Sequence, residues 1–170
     1  MHTTDPRELV DATTFLGMNS RDEAVRVACK NFFVDRFTAV VGMSDDQAGV
    51  CDRVIWRLPR ADQDSYYPFM DRLRTDMTIA SLAYDEGDVV RGLGDERLQA
   101  LDMPRRLTLA MASTRGAVLT SVDEALHALN RALPPERRLP VRPPAQDPVE
   151  RSFPDPELER WYRTSLLVRL

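Results

Sequence analysis

The stretch "RELVDATTFLGMNS", residues 7–20, sets an aspartate inside an apolar run. Leu9, Val10, Phe15 and Leu16 read as a buried strand, and Asp11 stands in its middle. A buried carboxylate is costly unless something pairs with it. A second acid, Asp123, follows the apolar run "AVLTSV" at the head of a helical segment. A helix N-cap is the ordinary role for such an aspartate; it suits Asp123 well and Asp11 poorly. Other reactive residue types are scarce. His2 and His127 are the only histidines, which argues against a histidine-rich metal site or a Ser-His-Asp triad. Cys29 and Cys51 lack the numbers of a disulfide framework and the spacing of metal ligands, and read as buried free thiols.

For two carboxylates to meet, the chain must bring their strands side by side. Residues 9–16, 38–43, 77–84 and 117–122 are apolar runs bounded by turn residues, and are predicted to be strands. Helical patterns separate them. Ser20 with Glu23, and Ser44 with Gln47, are predicted capping boxes for the first two helices. Further helices fall at about residues 64–76, in "VVRGLGDERLQAL", after Pro104 as far as Gly116, and in "DEALHALNRAL". "RRLPVRPP" reads as a short edge strand, since its prolines exclude a central place. Strand alternating with helix predicts an α/β fold, a central parallel sheet with helices on both faces. The ligand crevice of such a sheet lies at the carboxyl ends of its strands, where Asp11 and Asp123 would converge.

With 170 residues, 43% of them hydrophobic and 29% charged, the chain suits one soluble globular domain. A net charge of −4 removes the easy argument for a nucleic-acid binder and leaves local basic patches open. Lys30 is the sole lysine among many arginines, which points to a GC-rich, bacterial genome. The N-terminus shows no signal-peptide core, and no apolar run approaches the roughly 18 residues of a membrane span. A cytoplasmic protein with no membrane partner is expected. Residues 1–142 form the expected α/β domain, and residues 143–170 a Pro-rich extension ending in an amphipathic helix. That helix is predicted over 156–168, capped by Asp155, with Trp161 largely buried. Leu158, Leu166 and Leu167 also need cover, from the parent domain or else from a second copy or another partner.

Taken together, "LVDATTFL" and "LTLAMASTRGAVLTSVDEAL" resemble the PIN-domain family, over about residues 8–142. Asp11 matches the family's first aspartate and Asp123 its late acid. The resemblance implies a PIN-like α/β fold and a ribonuclease in which three or four carboxylates hold Mg²⁺ or Mn²⁺ to activate water. Gln47 stands near the place of the second family acid, with Asp45 or Asp46 as substitutes. Arg105 stands at the place of the third. Asp102 lies one turn earlier, where an N-cap ahead of Pro104 is its plainer role. Ala12 and Thr13 replace the threonine and asparagine that commonly follow the first aspartate.

Two readings follow from that resemblance. In one, Asp11, Asp123 and Asp46 are catalytic, and Asp11, Asp123, Asp46 and Asp102 bind Mg²⁺ or Mn²⁺ for cleavage of RNA. In the other, the module has lost its metal and acts by binding, with Arg105 or Arg106 compensating the acids or gripping an anion. A weaker third takes the crevice to other phosphate-ester or small-molecule chemistry. Two carboxylates 4 Å apart repel by about 4 kcal/mol at an effective dielectric near 20. A cation must compensate, or one acid must keep its proton. An arginine supplies that cation without a metal, and the binding module is the favoured expectation.

Overall fold

The computed structural model describes residues 5–170, so His2 lies outside the described residues. Five parallel strands form the sheet: β1 Glu8–Val10, β2 Val40–Ser44, β3 Thr78–Leu82, β4 Val118–Thr120 and β5 Val141–Arg142. Their order is β3-β2-β1-β4-β5, and every pairing is parallel. The chain builds outward from β1 to β3, then returns to place β4 on the other side of β1. The direction of winding therefore reverses between β1 and β4, which is where a crevice opens in such a sheet.

Among the described residues eight α-helices flank the sheet: α1 Ala12–Gly17, α2 Glu23–Asp35, α3 Asp45–Trp56, α4 Arg60–Asp76, α5 Glu86–Gly94, α6 Met103–Thr114, α7 Glu124–Ala132 and α8 Pro156–Ser165. Alternation along β1 sends Leu9 to one face and Val10 to the other. Val10 joins Phe15, Phe33, Val41, Phe69 and Tyr162 in the larger core cluster. Leu9 joins Leu109, Leu119 and Leu126 in the smaller one. Helices therefore cover both faces, as the sequence pattern requires.

β1 is shorter than expected. The apolar residues Phe15 and Leu16 belong to α1, not to the strand, and the chain turns at Asp11. A short apolar run reads equally as strand or buried helix; here the helix puts Phe15 edge-on to Phe33, with ring centres 5.7 Å apart. The first cap also differs: Asp22, not Ser20, caps α2, accepting from the Ala24 and Val25 amides. Ser44 does cap α3, but Gln47 does not reach back to it in the predicted capping box. The helix expected at about residues 64–76 is α4, and it starts earlier, at Arg60, directly after Pro59.

The C-terminal segment packs back onto the domain. Phe153, Leu158, Tyr162 and Val168 are buried in the larger cluster, and α8 lies along α4. The Tyr162 hydroxyl donates to the Met18 carbonyl at 2.9 Å. Lys30, fully buried, donates to Glu159 at 2.7 Å and lies over the Tyr162 ring. Trp161, expected largely buried, is only half-buried, and Leu167 is 76% exposed. Cys29 and Cys51 are buried free thiols, and burial pushes both up to about 12. No helix among the described residues is long and apolar enough to cross a membrane.

Candidate functional site

Asp11 leaves the carboxyl end of β1 and caps α1, with its side chain accepting from the Thr14 amide at 3.1 Å. The Thr13 hydroxyl donates to the same oxygen at 2.6 Å. The second oxygen accepts from the Ser121 hydroxyl, which β4 delivers from the neighbouring strand end. Asp11 is 4% exposed, and every direct partner is neutral. Burial raises its pKa above the ordinary carboxylate value, the bonds from Ser121, Thr13 and Thr14 oppose that rise, and the charge of Asp123 adds to it. The expected direct cation is missing from Asp11; a cage of hydroxyls stands in its place.

Asp123 sits at the end of the loop after β4 and caps α7, accepting from the Ala125 amide at 3.0 Å. Its own amide donates to the Ser121 hydroxyl at 3.0 Å, so Ser121 links the two acids. The other Asp123 oxygen accepts from Arg105 Nε at 2.7 Å. Arg105 Nη1 donates to Asp102 at 2.7 Å, and Asp102 caps α6 through the Arg105 amide. The guanidinium thus bridges two helix N-caps. Its hydrogen bond to Asp123, partly offset by desolvation, holds its pKa above the ordinary arginine value.

Asp11, Thr13, Gln47, Asp102, Arg105 and Asp123 line one cavity of about 250 Å³. Gln47 is buried there, and its Oε1 accepts from the Ala12 amide at 3.0 Å. That bond ties α3 to the first turn of α1 and explains why Gln47 does not complete the capping box. Asp45 turns to the β3 edge and accepts from Ser81. Asp46 has one buried oxygen without a hydrogen-bond partner among the described residues, and it does not line the cavity. Arg106 lies outside it too: Nε and Nη2 donate to the Leu101 and Gln99 carbonyls, each at 2.7 Å. Of the two arginines considered for charge compensation, only Arg105 reaches the acids.

Sequence reasoning missed Ser121 as the connecting residue. Its signal is the spacing "TSVD", a hydroxyl two residues ahead of an N-cap aspartate, a common local turn motif. Among the described residues no three His, Cys, Asp or Glu side chains are grouped so as to hold a metal ion.

One protein-family model, described as "Family of unknown function (DUF6190)", matches residues 1–170, the whole chain. No curated protein and no solved structure matches it.

Proposed function

The chain belongs to the DUF6190 family, and we propose that it is a divergent PIN-like module that acts by binding and has lost metal-dependent cleavage of RNA. The observation that carries this reading is the Arg105 guanidinium, held 2.7 Å from both Asp123 and Asp102 at the mouth of the crevice. The Mg²⁺ or Mn²⁺ that the resemblance implies does not fit this donor set. Both oxygens of Asp11, Asp102 and Asp123 already accept hydrogen bonds from the chain's own hydroxyls, amides or guanidinium. A divalent cation would have to displace a guanidinium bound to two carboxylates. Arg105 does the neutralising that a metal would otherwise do.

Exposed apolar groups support a role in binding another protein or a second copy. Val90 and Leu93 on α5 and Leu167 after α8 are more than half exposed. The inner side of α8 is spent on its own core, so a contact through this end of the chain would use Leu167 and the open side of Trp161. The expected setting is the cytoplasm of a bacterium.

The alternative, an atypical Mg²⁺- or Mn²⁺-dependent ribonuclease, is favoured by one observation: Asp11, Asp102 and Asp123 line the same cavity. An assay with single-stranded RNA and Mn²⁺ separates the readings. The binding module gives no cleavage above the Asp123→Asn control. Metal-dependent cleavage that vanishes in both Asp11→Asn and Asp123→Asn would establish the nuclease instead.

A further inference from the structure

A second cavity, of about 460 Å³, lies outside the crevice, between α7 and β5. Its position follows from the sequence. Leu126 anchors α7 in the smaller core, and Glu124, His127 and Arg131 line the cavity from that helix. Pro140 and Pro143 flank β5 and hold it to two residues at the sheet edge. Arg138 and Arg142 enter the cavity from this side, around an apolar floor of Val141 and Pro143.

The charge of this cavity runs against that of the chain. Three guanidinium groups face one carboxylate, in a protein whose net charge is −4. Arg131 pairs with Glu124, and Arg142 with Glu8. Arg138 makes no ion pair and no side-chain hydrogen bond among the described residues, and it is exposed. Its positive charge contributes nothing visible to the fold. His127 Nε2 is 2.6 Å from the Ser121 carbonyl, so the ring is fixed where it enters the cavity wall.

We propose that this cavity binds a phosphate monoester, with Arg138, Arg131 and Arg142 holding the phosphate and Val141 and Pro143 meeting its organic part. A phosphate dianion offers three terminal oxygens and two charges, which suits several forked guanidinium donors better than one carboxylate does. The cavity has the size of a small-ligand site, which typically spans about 300–1,000 Å³. A polymer would need the basic surface to continue. In the adjoining cavity it weakens, because two carboxylates, Asp35 and Asp147, stand among Arg36, Arg142 and Arg151. The proposal concerns a site separate from the Arg105 crevice and stands or falls apart from it.

Calorimetric titration of the full chain tests it, with adenosine 5′-monophosphate, inorganic phosphate, adenosine and a single-stranded oligonucleotide as probes. Saturable binding of the monophosphate is expected, with none for adenosine. Phosphate alone binding equally well would identify free phosphate as the ligand; tighter binding of the ester would show that the organic part is held too. Arg138→Gln should weaken binding about tenfold, the loss of one charge-assisted pair of bonds. Arg60→Gln, an equal charge change elsewhere on the surface, should leave binding unchanged. Both positions are exposed, so both variants should keep the wild-type circular dichroism. The proposal is overturned if neither phosphate nor the monophosphate binds at about 1 mM, if the two variants weaken binding equally, or if only a single-stranded oligonucleotide binds.

Discussion

Arg105 Nε lies 2.7 Å from Asp123 Oδ2, and through this contact α6, the helix before β4, neutralises the acid that follows β4. The Arg105 side chain is 39% exposed, so water screens the pair. Asp123→Asn should therefore cost no more than about 1 kcal/mol, the range of solvent-accessible ion pairs, and not the roughly 3–5 kcal/mol of a fully buried one. Asparagine can still cap α7. Urea unfolding with an unchanged slope and a slightly lower midpoint is the expected result.

Asp11 should behave in the opposite way to a salt-bridged acid. Burial raises its pKa in the folded state, so the folded chain keeps a proton that the unfolded chain releases near pH 4. Stability is thus lost as pH rises from about 4 through the folded-state pKa. Asp11→Asn removes that dependence, and the variant should gain on the wild type between pH 4 and pH 7. Glu8 and Glu159 have lowered pKa values and lose stability as pH falls. The difference between the variant and wild-type profiles cancels their contribution. A difference that is flat with pH would mean that Asp11 is not held as the structure indicates.

Lys30 ties α2 to the C-terminal helix. Its Nζ is 2.7 Å from Glu159, and its side chain has no exposure to solvent. Lys30→Met would leave Glu159 with Arg163 as its cation and should cost about 1–3 kcal/mol. Adding Glu159→Gln should recover part of that loss, because the neutral amide needs no cation. Deleting residues 150–170 removes Phe153, Leu158, Tyr162 and Val168 from the core and should abolish cooperative thermal unfolding. A truncated chain with an unchanged melting temperature would contradict this packing.

The parallel sheet was legible because Val, Ile and Leu runs with turn residues between them have few other uses. The strands at residues 40–44, 78–82 and 118–120 fall inside or within one residue of the predicted runs. Asp102 as the cap of α6 and Asp155 as the cap of α8 were equally readable. The role of Asp11 was not. "ATTFLG" carries two adjacent β-branched threonines and an aromatic, so its composition favours a strand; tertiary burial of Phe15 and Met18 makes it a helix. Once that segment is a helix, Asp11 becomes an N-cap and its partners become Thr13, Thr14 and Ser121. Ser121 is 110 residues away in sequence, a contact that only the parallel pairing of β1 with β4 creates. Trp161 was overread for a related reason. An amphipathic pattern gives the side of α8 that faces inward but not how far its edges are covered, and Arg160 lies over the Trp161 ring.

Gly42 marks how closely the central strands pack. A Cβ at this position would come within 2.6 Å of Leu9 and 2.7 Å of both Leu82 and Pro6. All three contacts are side-chain atoms, so the neighbours can shift, but not without loss of packing. Gly42→Ala should destabilise by about 1–3 kcal/mol, as overpacked cores do. Thermal unfolding provides the check.

The account rests on Arg105 holding the place of a metal ion between Asp123 and Asp102. Calorimetric titration of the full chain with Mn²⁺ tests that most directly. The account predicts no saturable binding at concentrations up to about 1 mM. Stoichiometric Mn²⁺ binding that is lost in both Asp11→Asn and Asp123→Asn would contradict it.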